Sequence, residues 1–216
     1  MAISRFKFER ELASRGLNVI AGADEAGRGP LAGPVVAGAV VFPVGWIEAG
    51  LPRRFRGLTD SKQLTGEERE SYFEKLTGDA EVRFGIGVVE ADTIDSINIL
   101  QASLRAMNLA LDKLVPAPEH ALVDGNQITT LKHPQTALVH GDARSYSIAA
   151  ASVLAKVTRD RLMLHWHRLF PVYGFDEHKG YGTSRHLDAL TAHGPCPLHR
   201  KSFRPIRKRE PELFPF

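Results

Sequence analysis

Apolar residues recur along the chain in short runs, each closed by a polar or glycine-rich break. Residues 18–23 (NVIAGA) predict a short buried strand, and residues 33–42 (GPVVAGAVVF) a second one rich in valine and small side chains. Residues 43–60, with scattered Gly, Pro and Arg, read as a loop. Residues 65–76 predict a helix, with Thr65 as N-cap and Glu68 completing a capping box. In residues 81–90, Val82, Phe84, Ile86 and Val88 alternate onto one face of a third strand. The clearest helix spans 96–114. There Ile97, Leu100, Leu104, Met107, Leu111 and Leu114 recur at spacings of three and four, a stripe of core positions. Pro116 and Pro118 end it. Residues 121–123 and 137–139 predict two further strands, running into Asp124-Gly125-Asn126 and Gly141-Asp142. A long helix follows over 144–169, stopped near Pro171. After Tyr173 come a glycine-rich loop, a helix over 184–192 and a basic tail. Five strands interleaved with helices predict an α/β fold, a mixed five-stranded sheet flanked by helices. Residues 1–170 form its main body, and 171–216 a small helical and basic C-terminal extension of the same domain.

Composition narrows the class. The 216 residues are 43% hydrophobic and 25% charged, as in an ordinary globular domain. No run of 18 apolar residues offers a membrane span, and residues 1–15 lack the apolar stretch of a secretory signal. Cys196 is the only cysteine, so an intramolecular disulfide is impossible and a reducing, cytoplasmic compartment is the expectation. The net charge is only +3. The basic residues Arg200, Lys201, Arg204, Arg207, Lys208 and Arg209 nevertheless follow one another with no acid between them. Such a run either meets phosphates or is a solvated tail.

The acids stand where strands end. Asp24 and Glu25 close the first strand, Asp124 the fourth, and Asp142 follows the fifth. Carboxylates at the ends of neighbouring strands converge, and several together repel unless cations neutralise them. Hard oxygen ligands of this kind suit Mg2+ or Mn2+. Each acid also has a plainer reading: Asp124 as a turn residue, Asp142 as a helix cap, Asp24 and Glu25 as loop charges. Adjacent strand residues point to opposite faces, so Asp24 and Glu25 share a site only if the strand bends or one acts across an edge. Gly27-Arg28-Gly29-Pro30 lets backbone approach a ligand closely, with a cation beside it. Asp60-Ser61-Lys62 suits a phosphate. In Lys179-Gly180-Tyr181-Gly182-Thr183 a ring between glycines can lie on a base or sugar, or be a half-buried turn residue. Lys156 and Arg159 face substrate or pair with acids. His140, near Asp142, is by default a surface residue.

Together these blocks resemble the ribonuclease HII family. The resemblance rests on Gly22-Ala23-Asp24-Glu25-Ala26-Gly27-Arg28-Gly29-Pro30, Asp60-Ser61-Lys62 and Ile97-Asn98-Ile99-Leu100-Gln101-Ala102. It continues through Val123-Asp124-Gly125-Asn126, Gly141-Asp142, Ala150-Ala151-Ser152-Val153-Leu154-Ala155-Lys156 and His178-Lys179-Gly180-Tyr181-Gly182-Thr183. These occur in family order and span nearly the whole chain. The related ribonuclease HIII carries a large N-terminal domain and a glutamate as fourth acid. Here about twenty residues precede the Asp-Glu pair and the fourth acid is Asp142, which favours HII.

The resemblance implies a ribonuclease H-like fold and an endonuclease acting on RNA–DNA hybrids and on ribonucleotide-containing DNA duplexes. It implies Asp24, Glu25, Asp124 and Asp142 as catalytic carboxylates holding two Mg2+ or Mn2+ ions, one activating water and the other stabilising the departing 3′ oxygen. It implies that the Gly27, Arg28 and Gly29 backbone reads the 2′-hydroxyl and that Tyr181 stacks on the neighbouring deoxyribose. The cut falls 5′ to the ribonucleotide. Lys62, Arg28 and the basic tail are expected to hold phosphates, and the protein is expected to be a monomer. The end of the chain, residues 212–216 (ELFPF), either packs on the parent domain, the simpler reading, or docks on a replication sliding clamp.

Overall fold

The computed structural model describes residues 5–125 and 131–206. Helix α1 (Lys7–Ala13) leads into β1 (Ile20–Ala26) and β2 (Val35–Val41), then α2 (Val44–Ala49), α3 (Gly66–Gly78), β3 (Arg83–Val89) and α4 (Ala91–Leu111). β4 (His120–Asp124), β5 (Gln135–Leu138), α5 (Gly141–Arg144), α6 (Tyr146–Leu169), α7 (Phe175–His178) and α8 (Ser184–His193) complete the order. The five strands form one sheet in the order β3-β2-β1-β4-β5. β1 is antiparallel to β2 and β2 to β3, whereas β4 runs parallel to both β1 and β5. The expected mixed, helix-flanked α/β sheet is therefore present.

Helices cover both faces. α6 lies across β1 and β2 over a core that includes Ile20, Phe42, Ile47, Phe55, Ile148 and Leu154. α4 lies across β2 and β3 over Ala23, Val35, Ala106, Met107 and Leu111. Both helices approach closely where glycines of the sheet leave no side chain beneath them. A Cβ on Gly22 would lie 2.2 Å from the Ser147 carbonyl carbon, and one on Gly87 2.0 Å from the Ala106 oxygen. The glycines of β3 thus face α4, while Phe84 and Ile86 on its other face pack towards the first core.

The predicted cap of α3 is observed: Thr65 Oγ1 accepts from Glu68 N and Glu68 Oε2 accepts from Thr65 N. Two expectations need correction. Residues 43–60 are not all loop, since α2 and a 3-10 turn (Arg53–Phe55) bury Ile47 and Phe55. Leu100 is not a core position but half exposed, at 50%. The cause is Asn98, whose φ of 67° breaks α4, and whose Oδ1 accepts from Leu100 N and Gln101 N, starting a second helical segment. The stripe is re-registered there. Ala102, Ala106 and Ala110 then take the sheet-facing positions beside Leu104, Met107 and Leu111.

The C-terminal part has a small core of its own. Tyr173, Phe175, Ala189, Cys196 and Leu198 close on Ala32 and Met163. No helix among the described residues is long and apolar enough to cross a membrane.

Candidate active site

The strand register assembles the acids. β1 and β4 are parallel neighbours with Ala23 opposite Val123, so the next residues, Asp24 and Asp124, stand side by side. β5 pairs with β4 up to Asp124 opposite Leu138, and the chain then turns into α5, delivering Asp142. One carboxylate oxygen each from Asp24, Asp124 and Asp142 lie within 4.8 Å of one another. Asp124 Oδ1 accepts from Gly141 N at 2.6 Å, an approach open because position 141 has no side chain. Asp142 Oδ1 accepts from Ala143 N. Asp142 does not cap the long helix, since Ser145 does so by accepting from Ile148 N.

Glu25 is not among the three converging acids. It follows Asp24 on a regular strand, lines the same cleft, and takes a salt bridge from Arg28 at 3.1 Å. Its N–H donates to Asp24 Oδ1 at 2.7 Å. Burial pushes the Asp24 carboxyl well above the usual range, and the charges of Glu25 and Asp124 add to this. Burial also raises Glu25, against the pull of Arg28. Asp142 is raised by burial and by Asp124. Lys62 Nζ stands 3.6 Å from Asp142. Burial opposes its charge, but Asp60, Asp142 and Asp24 outweigh this and hold the ammonium above its ordinary value. A set of hard oxygen donors, desolvated and mutually repelling, fits divalent cations such as Mg2+ or Mn2+.

Asp24, Glu25 and Asp124 open into a cleft of about 440 Å³ lined also by Gly27, Arg28, Gly29, Lys62, Lys156 and Tyr181. Gly27, Arg28, Gly29, Lys62 and Tyr181, expected at the substrate, therefore share one cavity with Asp24, Glu25 and Asp124. Tyr181 is 47% exposed, with its ring against Gly29: a Cβ there would lie 3.6 Å from Cε1. Asp60 caps the turn carrying Lys62 by accepting from Lys62 N, and Ser61 N donates to Ser152 Oγ on α6. Lys156 pairs with Asp160 at 2.8 Å and still lines the cleft. His140 is exposed.

Two arginines are internal. Arg159 is 1% exposed and donates to the carbonyls of Pro34, Lys179 and Ala32 at 3.0 to 3.1 Å. It thus neither pairs with an acid nor reaches out to a phosphate, and burial lowers its pKa to about 10. Its spacing of four from Ala155 and Met163, both buried, was the sequence signal that it faces inwards. Arg200, expected in the phosphate-binding tail, is likewise fully buried, at 0% exposure. Lys201 and Arg204 are exposed, whereas Arg207, Lys208, Arg209 and residues 212–216 lie outside the described residues, as does Asn126. Sequence reasoning also missed His178, His186 and His199, which stack and bond beneath the Tyr181 turn.

A mixed sheet with acids at the ends of parallel strands defines a class, and solved structures place the chain in it. Ribonuclease H2 from Pyrococcus horikoshii superposes with a TM-score of 0.72 at 29% identity, covering 87% of this chain and 95% of that one. The ribonuclease HII in a complex with PCNA from Archaeoglobus fulgidus gives 0.69 at 25% identity, over 91% and 100%. The fold is therefore ribonuclease H-like. The sequence profile described as ribonuclease HII matches residues 21–206. Relatives named ribonuclease HII from Chlamydia pneumoniae and Geobacter metallireducens are 50% and 49% identical, each over 95% of this chain and 92% of theirs. The chain belongs to the ribonuclease HII family, a family of endonucleases.

Proposed function

We propose that the protein hydrolyses the RNA strand of RNA–DNA hybrids and cuts 5′ to single ribonucleotides embedded in duplex DNA. The observation that carries this reading is the convergence of Asp24, Asp124 and Asp142, the first two of them lining a cleft shared with residues 27–29 and Tyr181. Asp24, Glu25, Asp124 and Asp142 are assigned to two divalent ions, Mg2+ or Mn2+. When bound, the ions supply neutralisation of the phosphate charge and a water acidic enough to act as nucleophile.

The remaining work falls to the chain. The backbone of residues 27–29 meets the 2′-hydroxyl, the group that separates RNA from DNA. Tyr181 stacks on the sugar of the following deoxynucleotide, which selects an RNA-to-DNA step. Arg28 and Lys62 hold phosphates and make binding salt-dependent. The products are a 3′-hydroxyl and a 5′-phosphate. Removal of misincorporated ribonucleotides and of RNA primers is the role this chemistry suits, carried out by a monomer in the cytoplasm. A sliding clamp is a secondary partner. It rests on the archaeal PCNA complex and on residues 212–216, and deletion of those five residues in a clamp pull-down tests it.

The direct test uses a labelled DNA duplex with one ribonucleotide, in Mg2+, in Mn2+ and in chelator, beside an all-DNA duplex and the Asp124→Asn protein. A single metal-dependent cut 5′ to the ribonucleotide, absent from both controls, is the expected result. Cleavage of the all-DNA duplex would point instead to a DNA-junction nuclease on the same fold.

A further inference from the structure

The turn ending at Arg200 touches both substrate-facing loops, through two adjacent residues. Arg200 donates to the carbonyls of Gly27 at 2.5 Å, Arg28 at 2.9 Å and Gly33 at 2.9 and 3.0 Å. In a trans peptide the C=O and N–H point in opposite directions. Holding the Gly27 and Arg28 carbonyls on the Arg200 side therefore turns the N–H groups of Arg28 and Gly29 away from it. Those are the groups the proposed function directs at the 2′-hydroxyl.

His199 reaches the other loop. Its Nε2 lies 3.0 Å from Nε2 of His186, and both rings are fully buried. His186 Nδ1 faces the Tyr181 carbonyl at 2.9 Å and must donate, so its Nε2 is an acceptor. His199 Nε2 therefore carries the proton, and its Nδ1 accepts from Cys196 N at 2.9 Å. The result is a one-way chain: Cys196 N–H to His199, His199 to His186, His186 to the Tyr181 carbonyl. His178 stacks on His186 with ring centroids 4.5 Å apart and accepts from Gly180 N, steadying the same turn. Burial keeps His199 neutral, with a pKa near 4. The two loops also meet directly, Leu31 N donating to Gly180 O, and the 199–200 turn bridges to them through Arg200 N to Leu31 O.

We propose that His199 and Arg200 are positioning residues that set Tyr181 against the backbone of residues 27–29, and so fix the preference for a ribonucleotide followed by a deoxynucleotide. This rests on the reading of the cleft given under the proposed function. Neither residue touches substrate; each acts through a loop that does.

The test compares kcat/KM on a duplex with one ribonucleotide and on a uniform RNA–DNA hybrid, for wild type, Tyr181→Ala, His199→Ala and the double variant. Wild-type cleavage of both substrates, with a preference that Tyr181→Ala shifts, checks the underlying reading separately. His199→Ala is then expected to lower the single-ribonucleotide to hybrid ratio about tenfold, and to change it no further in the Tyr181→Ala background. His199→Gln, which can still donate towards His186, restores the ratio. Equal losses on both substrates, or additive effects in the double variant, would overturn the proposal. Arg200→Lys keeps the charge and removes the fork. It carries the same cycle should His199→Ala fail to fold, which thermal unfolding reports.

Discussion

Replacing Asp24 by Asn should stabilise the protein in chelator while abolishing cleavage. The three carboxylate oxygens lie within 4.8 Å of one another, and two unit charges at that separation repel by about 3.5 kcal/mol at an effective dielectric of 20. Asp24 is buried, and desolvation is the first cause of its raised pKa. Partial protonation and the Lys62 ammonium, 3.6 Å from Asp142, offset part of the repulsion. About 2 kcal/mol remains to be relieved when the charge is removed. Asn keeps an oxygen to accept from Glu25 N, so no hydrogen bond need be lost. For a chain of this size the gain corresponds to about 4–8 °C in Tm. The sign with pH follows from the shift. A carboxyl whose folded pKa is raised stabilises below its unfolded pKa, and that contribution is lost as pH rises through the folded value. The advantage of Asp24→Asn should therefore widen from pH 5 to pH 8. Saturating Mg2+ should narrow or invert it, because only the wild type retains the full donor set. Differential scanning calorimetry in chelator and in Mg2+ measures both effects. A variant that melts below the wild type in chelator at pH 8 would refute the electrostatic account of the cluster.

Two further outcomes test the scaffold. Gly27 has φ of 99°, and a Cβ there would lie 2.1 Å from Arg159 Nε and 2.7 Å from the Pro34 oxygen. Gly27→Ala should cost about 3 kcal/mol, whereas Gly16→Ala, at φ of 88° with open space around it, should cost about 1 kcal/mol; equal losses in urea unfolding would show that crowding by Arg159 is not the cause. The buried imidazoles predict an acid-sensitive term: His199, pushed down by burial to about 4, contributes stability that is full above its ordinary value of 6.5 and is lost as pH falls towards 4. Unfolding free energy should decline less between pH 7 and pH 5 in His199→Gln than in the wild type, and parallel declines would remove His199 as the source.

What could be read from the sequence was whatever a local pattern encodes. The acids were visible because each follows an apolar strand, and the parallel register of β1 and β4 makes their convergence a consequence of strand order. The cap of α3 was visible because both partners lie three residues apart. The failures were of another kind. The re-registered stripe of α4 turns on Asn98 adopting a positive φ, which no spacing rule anticipates. The close helix packing over Gly22 and Gly87 depends on which strand face each helix meets, a tertiary fact. Arg200 looked like one member of a basic run because charge counting carries no information on depth.

The two buried arginines show why the acidic end and the glycine loop belong to one device. Arg159 and Arg200 hydrogen-bond only carbonyls, and these lie in the 27–34 segment and at Lys179. A guanidinium brings several donors in a fixed planar fork, so one side chain can fix several peptide orientations at once; an ammonium cannot hold them in that geometry. Burying such charges without a salt bridge is unfavourable, and burial lowers Arg159 to about 10 and Arg200 to about 9. The hydrogen bonds given to these carbonyls offset part of that penalty. The same contacts turn the N–H groups of Arg28 and Gly29 away from Arg200, the orientation on which the proposed positioning role rests. The acids alone would hold cations beside any phosphodiester. On the proposed function it is the internally tethered loop, not the acids, that distinguishes a ribose from a deoxyribose.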